Sequence, residues 1–228
     1  MVRVLITAAE EEEIISAKQA FNNLESENKE LLHVEYMLTG IGAVSTTYRL
    51  TKKLSDSNQK FDIIINCGIA GSFSDDFPIG AVARIEKEYF GDLGFETFGG
   101  FMTLFDYDIL DADTLPFKGG ALIAPRLSDN IESSLSHIKA ASAVTVQTVS
   151  GFPEKRTRLI EGFHPQIESM EGAAFFYVAI LEGVPFIELR SVSNDVGERD
   201  RSKWNIPLAL SSLKDALREL LVALSFNN

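Results

Sequence analysis

Two hydrophobic periods alternate along this chain. Val2 to Ala8 is a short β-branched apolar run, and Glu10 to about Phe21 carries apolar residues at the three- and four-residue spacing of a helix. Leu32 to Leu38 reads as a second strand entering Thr39-Gly40-Ile41-Gly42, and a helix is predicted from about Ala43 to Leu54. Phe61-Asp62-Ile63-Ile64-Ile65-Asn66-Cys67 is the most continuous apolar strand, the pattern of a central strand buried on both faces, and Gly68-Ile69-Ala70-Gly71 is expected to close it. Further strands are predicted at 79–90, 119–124, 138–149 and 185–192, with helices near 126–135, 154–161, 171–183 and 207–225. In the last helix Ile206, Leu210, Leu213, Leu217, Leu220, Leu221 and Leu224 form one stripe to be buried. Strands alternating with helices, with no repeat and no linker, predict a single domain over 1–228, a three-layer α/β/α arrangement around a central twisted mixed β-sheet.

One stretch breaks the pattern. Between Gly91 and Lys118, the residues Phe95, Phe98, Phe101, Phe105, Tyr107 and Phe117 sit among glycines and acids without clear periodicity. Loops of this length are usually binding or interface segments, and so many aromatic rings need a cover. A subunit interface beside the site satisfies both, so a homo-oligomer, a dimer or larger, is expected.

Composition removes several classes of function. The 33 acidic and 21 basic residues leave a net charge of -12, which repels phosphodiester backbones and anionic membranes, so neither nucleic acid nor membrane is an expected partner. Met1 to Thr7 leads straight into four glutamates, unlike a signal or transit peptide, and no apolar run nears the roughly 20 residues of a membrane span. A cytoplasmic location is expected. Cys67 is the only cysteine, which excludes an internal disulfide, and His33, His137 and His164 lack ligand spacing, so no metal and no organic cofactor are expected.

Chemistry concentrates in two segments. Ser169-Met170-Glu171-Gly172-Ala173-Ala174 places a methionine and a carboxylate where a strand gives way to a helix, a turn that faces the ligand crevice in open α/β sheets. One helix and one strand later, Arg190-Ser191-Val192-Ser193-Asn194-Asp195 ends another strand on polar side chains. Two polar clusters at two strand ends can converge on one small molecule, one facing a sugar and the other a base. The run Glu10-Glu11-Glu12-Glu13 follows the first strand, where a carboxylate could take a proton from water, although acids in a first helical turn ordinarily face solvent. Gly40-Ile41-Gly42 and Gly68-Ile69-Ala70-Gly71 complete neither a dinucleotide fingerprint nor a P-loop.

Taken in order, the acidic run, Gly40-Ile41-Gly42, Asn66 to Gly71, Ser169 to Gly172 and Arg190 to Asn194 resemble the purine nucleoside phosphorylase and nucleosidase superfamily over nearly the whole chain. Within it, Gly68 to Phe73, Gly91-Asp92-Leu93-Gly94 and Asn194 to Asp200, with Trp204, look most like the futalosine hydrolases. The resemblance implies a nucleoside phosphorylase-like fold and hydrolysis of futalosine to release hypoxanthine, in menaquinone biosynthesis. It puts water activation on Glu12 by ungapped counting from Ile6, with Glu11 and Glu13 within alignment error. Met170 would pack on the ribose, and Glu171 would accept hydrogen bonds from the 2′ and 3′ hydroxyls and stabilise the oxocarbenium-like transition state. Ile69, Ala70, Gly71, Thr148 and Val149 would also bind substrate.

Adenine-specific nucleosidases carry Asp at the position of Asn194. An amide both donates and accepts, which suits the carbonyl of a 6-oxopurine better than the amino group of adenine. Asn194 is not itself an acid, so Asp195 is the first residue to examine for protonation of N7. For the carboxyphenyl arm of futalosine, Phe95, Phe98 and Phe101 are candidate slot residues, and Arg199, Arg201 or Lys203 could meet the carboxylate, an arginine being suited to bidentate pairing. The arginines with which the phosphorylases hold phosphate give way here to glutamates and Asn66, so water is the expected nucleophile. Three other readings are a methylthioadenosine or S-adenosylhomocysteine nucleosidase, a nucleoside phosphorylase and a non-catalytic nucleoside-binding protein. Asn194 weighs against the first, the missing arginines against the second, and the joint presence of Glu12, Glu171 and Asn194 against the third.

Overall fold

The computed structural model describes residues 1–55 and 60–226. In chain order its elements are β1 (Val2–Ala8), α1 (Glu11–Asn22), α2 (Ser26–Glu30), β2 (Leu32–Leu38), α3 (Ala43–Leu54), β3 (Ile63–Ser72), β4 (Val82–Phe90), β5 (Gly94–Thr97), β6 (Gly100–Thr103) and β7 (Leu122–Ile123). Then come α4 (Asp129–Ser134), β8 (Ala140–Thr145), α5 (Pro153–Phe163), β9 (Ile167–Ser169), α6 (Gly172–Glu182), β10 (Phe186–Asp195), a 3-10 turn (Arg201–Lys203) and α7 (Ile206–Ser225).

Alternation along the strands sends side chains to two cores. Val4, Ile6, Ile63, Ile65 and Cys67 join the core that contains Ile14 and Ala17 of α1 and Leu213, Leu217 and Leu220 of α7. Leu5 and Ile64 point the other way, to Leu50 of α3 and Phe175 and Phe176 of α6. Each fully buried side chain of this size contributes roughly 1.5–3 kcal/mol, which fixes the sheet between its helical layers. The three-layer α/β/α arrangement with a mixed sheet is what the periodicity predicts.

The sheet runs β10-β4-β8-β9-β3-β1-β2, with β7 on β4, and β10 also pairs with β3, so β3, β10, β4, β8 and β9 close a ring. The long strand β3 is the hinge of this arrangement. One of its edges pairs with β10 throughout, while the other is divided: Val4 to Thr7 of β1 lie opposite Ile63 to Asn66, whereas β9 takes over only at Gly71 and Ser72. Between them Cys67 to Ala70 face neither strand on that edge. Such a switch of partners is where open α/β sheets place ligands.

The glycines of Gly68-Ile69-Ala70-Gly71 do not close β3, which continues to Ser72. They permit close approach within a strand: a Cβ on Gly68 would collide with Arg190 and Glu13, and one on Gly71 would lie 2.9 Å from Val196 Cγ2. β10 likewise extends to Asp195. The irregular stretch contains a small hairpin, β5 on β6. Part of its aromatic surface is covered by the fold itself, since Phe117 stacks edge-on with Phe105 and Tyr177, with centroids 5.2 and 6.0 Å apart. Among the described residues no helix is long and apolar enough to cross a membrane.

Candidate active site

The divided edge of β3 is closed by an acid from α1. Glu13 is the third residue of that helix, and its Oε2 accepts the Ala9 and Glu10 backbone N–H groups at 3.1 Å each. Its Oε1 accepts the N–H of Ile69, on the unpaired part of β3, at 2.9 Å. Burial pushes the Glu13 carboxyl above its ordinary range, against the pull of Arg190 and of the Ile69 and Glu10 N–H groups. Glu11 and Glu12 project into solvent. The ungapped count falls on Glu12, whereas the glutamate that reaches the cleft is Glu13, one of the two alternatives beside it: on a helix, consecutive side chains point about 100° apart, so only one of three adjacent glutamates turns back onto the strand.

Glu171 caps α6 from the opposite side of the gap. Its Oε1 accepts the N–H of Gly42 at 2.9 Å, and Gly42 holds φ at 88°, a left-handed conformation that favours glycine. Its Oε2 lies 3.8 Å from Arg190 Nη1, and Arg190 donates its Nε–H to Glu188 Oε1 at 2.6 Å. Arg190 is 1% exposed, and its positive charge serves Glu171, Glu13 and Glu188 together.

Behind Glu188 lies Glu88 of β4, also fully buried, with Oε2 accepting the Thr145 hydroxyl at 3.0 Å. Among the described residues, Glu88 Oε1 and Glu188 Oε2 have no hydrogen-bond partner. Four carboxyl groups around one guanidinium cannot all ionise away from water. Burial, and then the mutual repulsion of Glu88 and Glu188, hold Glu88 protonated far above the usual carboxylate range; burial raises Glu188 as well, while Arg190 draws it down. The Oε1 atoms of both acids press against Gly172, where a side chain would strike them.

Outside this cluster opens a cleft of about 350 Å³, lined by Glu13, Glu171, Met170, Ile69, Ala70, Gly71, Val149, Ser150, Glu168, Asn194, Arg199, Arg201 and Trp204, among others. Asn194 Oδ1 accepts the Ser193 hydroxyl at 2.8 Å, and its Nδ2 donates to the Asp195 carbonyl at 2.9 Å. Across the cleft, Glu168 Oε1 accepts the Ser150 N–H at 3.0 Å and Oε2 accepts the Ser150 hydroxyl. Burial raises the Glu168 carboxyl, opposed by its Ser150 bonds and by Lys155 and Arg199. At the outer end, the Arg199 and Arg201 guanidinium groups stand 5.2 and 5.7 Å from the Trp204 ring centroid.

Several expected residues lie elsewhere. Asp195 is exposed and does not line the cleft, because it follows Asn194 on a strand and consecutive strand residues face opposite ways. Thr148 is exposed and lines a separate depression with Phe95, Phe101, Lys155 and Arg158. Phe98 is fully exposed, and Lys203 is paired with Glu198 at 2.6 Å. Conversely, Glu88, Glu168 and Glu188 lie outside the two segments that the sequence singles out, and Arg190 opens one of them without a role of its own. The available signal was charge inside apolar strands, as in Phe186-Ile187-Glu188-Leu189-Arg190. Among the described residues, no group of three His, Cys, Asp or Glu side chains is arranged to hold a metal ion.

Comparison with known proteins gives this geometry its family. A profile of the phosphorylase superfamily matches residues 6–222. The futalosine hydrolase of Streptomyces coelicolor is 33% identical over 191 residues, covering 82% of this chain and 77% of that protein. That of Thermus thermophilus is 30% identical over 186 residues, covering 82% and 80%. A solved 5′-methylthioadenosine/S-adenosylhomocysteine nucleosidase of S. pneumoniae, with a transition-state inhibitor, superposes with a TM-score of 0.78 over 98% of this chain and all of that one, at 20% identity, a likeness of fold. The chain belongs to the phosphorylase superfamily and is an N-glycosyl hydrolase of its futalosine hydrolase-like nucleosidases.

Proposed function

We propose that this hydrolase cleaves the N-glycosidic bond of futalosine with water, releasing hypoxanthine and dehypoxanthine futalosine, in menaquinone biosynthesis. The observation that carries the reading is an amide, Asn194, at the base end of a cleft whose sugar end is lined by two carboxylates, Glu13 and Glu171. The amide can donate to the 6-oxygen and accept from a protonated N7. A carboxylate there would suit the amino group of adenine, so Asn194 weighs against the methylthioadenosine reading that the fold also allows.

Glu13 is the general base in this mechanism. Its carboxyl is fixed by three backbone donors, and a raised proton affinity makes it a better base near neutral pH than an exposed glutamate. Glu171 accepts hydrogen bonds from the ribose hydroxyls, with Met170 against the sugar, and its charge stabilises the oxocarbenium-like transition state more than the ground state. Arg190 holds Glu171 and Glu13 in place and balances their charge. Phosphate would have to approach both carboxylates, and one such pair of charges at 4 Å costs about 4 kcal/mol at an effective dielectric of 20. Water carries no such cost. Ile69, Ala70, Gly71 and Val149 border the nucleoside, and Arg199 meets the carboxylate of the arm.

A second copy of the chain is the proposed cover for the outer rim. Ile41, Val44 and Tyr48 follow one another at helical spacing, and all three are exposed, as are Phe98 and Phe152.

The test is to incubate the purified protein with futalosine, inosine or methylthioadenosine, with and without phosphate, and to identify base and sugar. Phosphate-independent hypoxanthine release from futalosine alone supports the reading. Adenine release, or a sugar phosphate formed only with phosphate, overturns it.

A further inference from the structure

We propose that Glu168 is a second reader of the base, accepting the N1–H of a 6-oxopurine from the wall of the cleft opposite Asn194. The proposal deepens the nucleosidase reading above and rests on it. It starts from the register of three strands. Gly71 of β3 is paired with Glu168 of β9 on one side and with Asn194 of β10 on the other. Residues directly opposed on neighbouring strands present their side chains to the same face. Asn194 Nδ2 is indeed 3.5 Å from where a Cβ on Gly71 would sit, and all three residues line the cleft. This rung is a slot with a glycine floor, an amide wall and a carboxyl wall.

Its width suits a purine. Two strand spacings separate the walls by roughly 9.5 Å. A fused bicyclic ring with a hydrogen bond of about 2.9 Å at each edge needs roughly 10 Å between the groups that hold it. With Asn194 on the N7 and O6 edge, Glu168 meets the edge that carries N1.

The carboxyl group is held for this purpose. Glu168 is 6% exposed, yet among the described residues no cation closes an ion pair with it. Ser150 binds both oxygens, and each oxygen keeps a lone pair. Burial raises its carboxyl, and the Ser150 bonds, Lys155 and Arg199 draw it back toward the ionised form. A desolvated carboxylate in this state gains from one further donor. Hypoxanthine supplies it at N1, whereas adenine presents a bare lone pair there, which the carboxylate repels. The cleft then reads the 6-oxo form twice, through Asn194 and through Glu168.

The experiment compares kcat/KM for futalosine and for its 6-amino counterpart in the unsubstituted protein, Glu168→Gln and Ser150→Ala. Hypoxanthine and adenine affinities are measured by calorimetry on the same samples, so that a variant that turns over poorly still reports. The expected result for Glu168→Gln is a roughly 10- to 100-fold loss on the 6-oxo substrate and none on the 6-amino substrate, because a glutamine amide can donate to the bare N1. Ser150→Ala should move the preference the same way by less. If Glu168→Gln lowers both substrates together and leaves the hypoxanthine to adenine affinity ratio unchanged, Glu168 only fastens the Ser150 loop and the proposal fails. If the unsubstituted protein cleaves neither nucleoside, the nucleosidase reading itself fails, a separable outcome that removes the basis of the proposal.

Discussion

The two ends of the cleft are built differently. At the inner end, Glu13, Glu171 and Arg190 are all buried; both carboxylates accept backbone N–H groups, and Arg190 pairs with Glu171 and Glu188. At the outer end, Arg199 and Arg201 are exposed and Trp204 is half-buried, and they stand on a turn outside the sheet. Rigid, dry carboxylates suit a step in which charge develops and must be met without reorganisation. Exposed cations on a turn suit recognition of a variable substituent. The base slot of Gly71, Asn194 and Glu168 lies between the two and shares properties of both. The contrast separates turnover, located inside, from substrate choice, located progressively outward.

Substitutions can break that separation. The largest effect is expected inside: Glu13→Gln and Glu171→Gln should each lower kcat roughly 100- to 10,000-fold on every nucleoside cleaved, with circular dichroism unchanged. If either effect depends strongly on the base or the arm, inner and outer functions are not separate. In the slot, Asn194→Asp should shift preference toward the 6-aminopurine by roughly tenfold, measured as the ratio of kcat/KM values. An unchanged ratio would remove Asn194 from base reading. At the outer end, Arg199→Ala should raise KM for futalosine by less than about fivefold and leave kcat alone, as for any exposed charge pair. A loss of kcat there would place the turn in the chemistry.

The buried acids behind the inner end predict a pH effect on stability. Glu88 and Glu188 bind protons more tightly folded than their ordinary value of 4.5 implies for the unfolded chain. The folded state therefore holds more protons. The stability these groups contribute is complete below about pH 4.5 and is lost as pH rises through their raised values. Urea denaturation from acid to alkaline pH should show Glu88→Gln, which cannot ionise, losing less stability on the alkaline side than the unsubstituted chain. Parallel curves would mean that the pair does not carry this proton.

How far the sequence announces these features depends on what each rests on. Strands β1 and β2 and helix α3 begin and end where the hydrophobic period predicts. The three-residue strand β9 is too short to show a period, yet it closes the ring and carries Glu168. Glycines at 68 and 71 look like a turn, since a strand with room for no side chain has the same composition as a loop. The choice among Glu11, Glu12 and Glu13 turns on a rotation of about 100° per residue, which the capping geometry of α1 decides. Asp195 illustrates the converse: it follows Asn194 in sequence yet stands exposed and off the cleft. Glu171 and Asn194 were legible because polar residues at strand ends have few structural reasons to be there, and Met170 because it adjoins Glu171.

The most direct test of the account is the rate of hypoxanthine release from futalosine in phosphate-free buffer by the unsubstituted chain, Glu12→Gln and Glu13→Gln, side by side. The account predicts release by the first two at similar rates and a collapse in the third. Release that waits for added phosphate, or that survives in Glu13→Gln and fails in Glu12→Gln, would contradict it.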